Sequence, residues 1–215
     1  VGEGEEDRPA DPHGDVLVRL LLERGAEPYD SQVIYNIHFH AKVLWYLKLM
    51  YEFSLKAGRK ADWDDPEWHM LDMGNYGSGA RWHLWIAIQE NDLDLARWCL
   101  EHGASPNAAP PRAESLPQQS LYEMAVRAGQ SEMVELLLHH GAERTTVAME
   151  GVDAFVAACQ RLDRDGAKRL LQQHPEYLQS SKPILTAVRK DNTDIVELLL
   201  DLGLPVDAEF EHKQG

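Results

Sequence analysis

The sequence predicts an all-α chain assembled from stacked helix–turn–helix units. Three observations carry that prediction. One phrase is written several times: Leu17–Ala26 reads LVRLLLERGA, Leu95–Ala104 reads LARWCLEHGA, Met133–Ala142 reads MVELLLHHGA and Ile195–Leu204 reads IVELLLDLGL. Within the phrase, apolar residues recur at three- and four-residue spacing, as Met133, Val134, Leu136, Leu137 and Leu138 do, so one broad helix face is apolar. Each phrase then stops on a glycine, the residue that enters the left-handed conformation of a helix C-terminus without a Cβ penalty. The stops have a period: Gly58 lies 33 residues after Gly25, and His174 lies 33 residues after Gly141.

Composition bounds the function. The 215 residues suffice for one sizeable domain or two small ones, and 44% apolar content is ordinary for a folded chain. A net charge of −15 disfavours nucleic acid and anionic membrane as partners. The most apolar region, Val43 to Leu55, is interrupted by Lys48 and Glu52 and falls short of the ~18 residues of a membrane span. No segment has the order of a secretory signal, and the initial valine is expected to mark a trimmed or partial chain. Cys99 and Cys159 lie in different units with no metal-like spacing, which predicts two buried thiols in a reducing, cytoplasmic setting.

The elements follow in order. Residues 1–14 are acidic, carry Pro9 and Pro12, and are expected to be irregular. Asp15 is the expected N-cap of a helix over Val16–Glu23. Val33, Ile34 and Ile37 predict a short helix, and Val43–Lys56 a longer one. Residues 59–80 differ in kind: Trp63, Trp68 and Tyr76 alternate with acids and glycines, as in a long ordered loop. Helix pairs are then predicted at Trp82–Gln89 with Leu93–Glu101, Ser120–Arg127 with Glu132–His139, Ala154–Arg161 with Arg164–Gln172, and Pro183–Lys190 with Thr193–Asp201. A polar, proline-rich connection spans Asn107–Gln118, and 208–215 is a charged tail.

These units resemble the ankyrin repeat. Ser120-Leu121-Tyr122-Glu123 stands where that family opens with Thr-Pro-Leu-His, Ala125-Val126 stands for its Ala-Ala, and Gly129 for its turn glycine. Trp82-His83-Leu84-Trp85 through Asn107, and Lys182-Pro183-Ile184-Leu185 through Gly203-Leu204, repeat the pattern. The unit holding Phe155, Ala158, Cys159, Leu170 and Leu171 resembles the degenerate repeats of bacterial ankyrin proteins. The resemblance implies an ankyrin-type solenoid of about five repeats over 15–207, the first one incomplete. Its units fall near 15–30, 31–58, 81–107, 119–145, 153–178 and 182–207, with 59–80 as an insertion. No pair can bury its own apolar face, so each must stack on a neighbour, and Ala87, Ala125, Ala158 and Ala187 suit close helix contact.

Catalytic signals are weak. His38 and His40 flank Phe39 with no cysteine or third histidine nearby in sequence, and Asp64, Asp65 and His69 could approach them to form the one candidate metal or acid–base site. His102, His139, His140 and His174 fall at helix C-termini, where partial positive charge is favourable. The segment Gly74–Ala80 resembles a phosphate loop in glycine content alone and lacks its lysine. No cofactor is expected.

The expected function is non-catalytic binding of a partner protein or peptide. The resemblance implies contacts at the end of each first helix: Gln89 and Glu90, Arg127 and Ala128, Gln160 and Arg161, Arg189 and Lys190. In an acidic chain Arg127, Arg161, Arg189 and Lys190 would form a basic stripe for an acidic partner, unless neighbouring acids such as Glu123 or Asp191 neutralise them. The insertion offers a second surface at Trp63, Trp68 and Tyr76, with Arg81 beside it, unless its aromatics fold back over the Val43–Lys56 helix. Two alternatives stand beside this reading: a metal-dependent site near His38 and His40, or an inhibitory or spacer domain of a larger effector or self-protection protein.

Overall fold

The computed structural model describes residues 13–37, 42–110, 119–189 and 192–205, without the side chain of Arg189. Among them are twelve α-helices and no strand. The expectations for 1–12, most of the Asn107–Gln118 connection and 208–215 lie outside these residues. The chain divides into two compact units, one of Val1–Ala87 with Asp92–Gln118, the other of Ile88–Asn91 with Gln119–Gly215.

The first unit holds α1 (Gly14–Glu23), α2 (Ser31–Ile37), α3 (Leu44–Lys56), the short α4 (Lys60–Trp63), most of α5 (Gly79–Gln89) and α6 (Leu93–Glu101). Helix α1 begins two residues earlier than expected. Its N-cap is His13 and not Asp15, which lies inside the first turn, where its negative charge suits the helix dipole. Val18 and Leu22 are its buried side chains, and α1 packs on α3. Arg19 donates two hydrogen bonds of 3.0 Å to the Glu52 carboxylate, and Lys56 donates a third of 2.7 Å.

The second unit holds α7 (Leu121–Arg127), α8 (Ser131–His139), α9 (Val152–Gln160), α10 (Arg164–Gln173), α11 (Lys182–Arg189) and α12 (Thr193–Asp201). Helices pair as α7 with α8, α9 with α10 and α11 with α12, and α9 also packs against α7 and α11. One continuous cluster around Phe155, Ala158, Ile195, Leu198 and Leu199 forms its core, with Leu170, Leu171 and Tyr177 closing the edge. Ser120 and Glu123 form a reciprocal capping box at the start of α7, each side chain accepting the other's backbone N–H.

The recurring phrase has a recurring hydrogen-bond pattern. The N–H groups of Ala26, Arg59, Ala104, Ala142 and Leu204 each reach the carbonyl five residues back, at 2.9–3.0 Å. The residue before each is a glycine with φ between 75° and 103°, a region closed to most L side chains. A second bond closes the turn inside four pairs. Asp92, Gln130, Asp163 and Asn192 donate their N–H to the carbonyls of Ala87, Ala125, Ala158 and Ala187, at 2.8–3.1 Å. Those alanines are 0–2% exposed, as their small side chains predict for close helix contact. Where the glycine stop is missing, His174 ends α10 in a non-helical conformation, with φ −139° and ψ 70°, and Pro175 prevents continuation.

The insertion is ordered, and its aromatics turn inward. Trp63 is 5% exposed and Trp68 0% exposed. Trp63 Nε1 donates to Ser54 Oγ at 2.7 Å, and Trp68 Nε1 donates to the His102 carbonyl at 3.1 Å. Both rings meet Trp98 edge-on, with centroids 5.8 and 5.6 Å away, and Tyr51 closes on Trp63 at 5.2 Å. Gly79 admits this packing: a Cβ there would lie 2.5 Å from Leu71 Cβ. The glycines of 74–80 build a turn, in which Met73 N–H reaches the Gly77 carbonyl at 2.9 Å.

Candidate functional site

The second unit carries a groove of about 580 Å³. The last residues of the first helices form one rim, because a helix that stops abruptly at its turn leaves its final side chains outside the packed layer. Gln89, Glu90, Arg127 and Ala128 line this rim, four of the positions that the repeat pattern implied. Met124, Gln130, Asp153, Val156, Lys182 and Thr186 also line the groove.

Charge in the groove is paired. Asp153 accepts a hydrogen bond from Lys182 Nζ and lies 3.6 Å from Arg127 Nη1. Arg127 Nη1 also donates to the Ala148 carbonyl at 3.2 Å. The two cations therefore share one carboxylate, and Glu90 brings a second negative charge to the rim. Neutralisation was expected from Glu123 or Asp191. Glu123 instead belongs to the α7 cap, where it accepts from Ser120 N–H at 3.1 Å and Thr145 Oγ1 at 3.0 Å. Asp191 lies outside the described residues.

Two buried polar atoms in the groove residues have no partner among the described residues: Gln130 Oε1 and Arg127 Nε. The reason for the first is local. Gln130 stands at the N-cap position of α8, where Asp92, Asp163 and Asn192 cap their own helices by accepting from the N–H three residues on. The glutamine side chain is one methylene too long for that bond. It extends away, and its Nε2 donates to the Ile88 carbonyl at 2.8 Å. That bond orients the amide and leaves Oε1 as an unused acceptor. Gln130 is 6% exposed, so its acceptor is not simply solvated.

The other expected contact residues separate from this groove. Arg161 is exposed and lines a different depression, with Val126, Arg169 and Leu170. Gln160 is partly buried and lines neither. The Arg189 side chain and Lys190 lie outside the described residues. Arg127 and Arg161, the two described members of the expected basic stripe, thus line separate depressions.

The expected aromatic surface also changes. Trp63 and Trp68 are interior residues and present no contact face, since their indoles fill the space between α3 and α6. Tyr76 is partly buried, with its ring 4.5 Å from Trp82 and 5.7 Å from Tyr35. It lines a smaller depression of about 260 Å³ with Ser31, Gln32 and Met73. Arg81 Nε donates to the Ala109 carbonyl at 2.9 Å, tying down the chain after α6.

For the metal alternative, His38 and His40 lie outside the described residues. Asp65 closes a local turn: it accepts the backbone N–H groups of His69 at 3.0 Å and Glu67 at 3.1 Å, and its Oδ2 lies 2.7 Å from His69 Nδ1. The backbone bond from His69 leads the causes that lower the Asp65 pKa. Asp64 lies 3.4 Å from Lys60. Both acids thus have local structural partners. Burial raises the pKa of both thiols, that of Cys159 to about 12, so neither is a ready nucleophile.

Comparison with known proteins agrees with the helix pairs. Residues 122–214 match a family model described as ankyrin repeats (3 copies), and residues 84–109 match the ankyrin repeat model. An ankyrin repeat protein, FPV115, of Fowlpox virus (strain NVSL) is 27% identical over 122 residues, 57% of this chain and 21% of that relative. The chain thus spans about a fifth of the relative's length, and the relative is viral, where a bacterial style was expected. No solved structure matches significantly. Ankyrin repeats are generally protein–protein interaction modules, and proteins of the family are typically non-enzymatic. The repeated glycine caps, the buried alanines of the helix pairs and both family matches lead to one assignment: the chain belongs to the ankyrin repeat family.

Proposed function

We propose that the protein is a non-catalytic binding module whose second unit holds a segment of a partner protein in the groove beside Arg127 and Gln130. The observation that carries this reading is the pair of buried, unmatched atoms there, the Gln130 Oε1 acceptor and the Arg127 Nε donor. An unmatched buried polar group costs about 1–3 kcal/mol. A peptide backbone or carboxamide offers one N–H and one C=O, the complement of that pair. Because Asp153 already serves both Arg127 and Lys182, the groove favours a polar segment recognised by hydrogen bonds over a ligand recognised by negative charge alone. The first helices stand pre-ordered, which lowers the entropy cost of binding. The two buried free cysteines support a cytoplasmic location.

The test is affinity capture with the wild type beside Thr186→Trp, which fills the groove from its wall, after both proteins are shown to melt alike. A specific protein recovered by the wild type and reduced tenfold or more with the variant is the expected result. Equal recovery by both proteins removes the groove as the binding surface.

A further inference from the structure

The second unit holds another depression, of about 370 Å³, that shares no lining residue with the groove beside Gln130. Its lining joins apolar side chains to unmatched positive charge. Val126, Met149 and Leu170 are partly buried there, while Arg161 and Arg169 are exposed. Arg161 is the C-cap residue of α9, and Arg169 lies in the second turn of α10. Two elements thus each bring a guanidinium to one depression.

Neither arginine has a carboxylate within ion-pair distance among the described residues, whereas Arg127, Arg164 and Lys182 in the same unit each have one. Three acids of this unit are committed elsewhere. Asp163 also lines the depression, but its carboxylate caps α10 by accepting the Gly166 N–H at 2.9 Å. It lies so close to Gly166 that a Cβ there would collide with it. Asp153 serves Arg127 and Lys182, and Asp201 accepts from Arg164 at 2.7 Å. In a chain of net charge −15, two guanidiniums left beside apolar side chains form a local reversal of sign. The planar fork of each matches a carboxylate in bidentate geometry.

We infer that this depression docks an acidic segment of a partner protein, with one apolar side chain seated among Val126, Met149 and Leu170 and flanking carboxylates held by Arg161 and Arg169. Charge and size select this occupant. A nucleic acid would bring a phosphate with every nucleotide against an acidic surface, at a site with two cations to offset them. A neutral apolar ligand would leave both guanidiniums unmatched. A short segment with one or two carboxylates matches their number. The volume lies at the small end of the roughly 300–1,000 Å³ of ligand pockets, room for a side chain and not for a folded element. The groove beside Gln130 differs in kind, because its own Asp153 already pairs with its cations, and neither surface depends on the other.

The experiment selects a display library of linear twelve-residue peptides on the whole chain, with Arg161→Glu/Arg169→Glu as counter-target. Both positions are exposed, so the variant is expected to fold. Circular dichroism melts verify this, and Arg161→Gln/Arg169→Gln serves if the first variant does not. The expected result is enrichment of peptides in which an apolar residue is flanked by carboxylates, binding the double variant at least tenfold more weakly. Met149→Gln, which leaves the charge unchanged, should weaken the same peptides. Thr186→Trp and the charge-matched Arg144→Glu/Lys168→Glu, at positions that do not line the depression, should bind them like the wild type. Absence of such enrichment, or binding unchanged by the Arg161/Arg169 substitutions or by Met149→Gln, overturns the site. Equal weakening by Arg144→Glu/Lys168→Glu overturns it too, because net charge alone then explains the effect. Loss of binding with Thr186→Trp also does so, since the peptides then occupy the groove beside Gln130. Sedimentation showing a wild-type dimer that Arg161→Glu/Arg169→Glu dissociates overturns it as well, because a second copy then fills the depression.

Discussion

The two units solve the same packing problem with different residues. In the second unit one rule is repeated: small alanines at the helix contacts and short aliphatics beneath them, with the same turn bond inside each pair. In the first unit the repeat is interrupted after Gly58, and Trp63, Trp68 and Trp98 fill the widened space with edge-on contacts. The difference teaches that regular stacking needs only local instructions. An interruption has to be sealed by large side chains whose polar edges also find partners.

That contrast can be broken from either side. The largest effect is expected for Trp68→Ala, which empties the first unit's aromatic centre and loses the bond to the His102 carbonyl. About 3–5 kcal/mol of stability should be lost in chemical denaturation. Leu137→Ala, fully buried in the second unit, should cost about 2–5 kcal/mol by the same measurement. A much smaller loss for Trp68→Ala than for Leu137→Ala would show that the aromatic cluster only covers the first unit and does not hold it together.

Smaller substitutions sharpen the comparison at single turns. Gly129→Ala should cost about 1–3 kcal/mol, since its φ is 67° and the new Cβ would lie 2.9 Å from the Ala157 carbonyl oxygen and from Gln160 Cβ. Leu162 occupies the equivalent turn in the next pair with φ 54°, and its side chain is 45% exposed. Leu162→Asn should therefore stabilise the protein by roughly 0.5–1 kcal/mol, read as a rise in Tm, because asparagine tolerates the left-handed region and already serves at Asn91.

The smallest expected effect is one of pH. Hydrogen bonds from Arg19, then Lys56, lower the Glu52 pKa to about 2 in the folded chain, below its ordinary value of 4.5. A depressed carboxylate stabilises the folded state above its unfolded pKa. That contribution fades as pH falls from about 4.5 to about 2. Glu52→Gln should flatten the acid limb of stability in this window by lowering the neutral Tm to the same extent, a small amount because the pair is exposed.

Much of the fold was legible in the chain. The helix pairs, the glycine stops and the contact alanines depend on bonds within a few residues, and each recurs at a readable spacing. The site was legible in part. Gln89, Glu90 and Arg127 followed from their place at helix ends. Asp153 and Lys182 did not, because Asp153 meets Arg127 and Lys182 from other helices, across gaps of 26 and 29 residues. Gln130 left one trace: a glutamine where the neighbouring turns carry Asp92, Asp163 and Asn192.

The sequence by itself determined that this is a helical repeat protein, where its helices stop and which small residues let them touch, since those properties are set by local backbone chemistry. Only the tertiary structure decided that Trp63 and Trp68 are interior, that one carboxylate serves two cations, and that Leu17 and Leu21 are exposed. Burial and pairing depend on what the rest of the chain brings alongside. An indole or a leucine is the same letter whether a neighbour covers it or not.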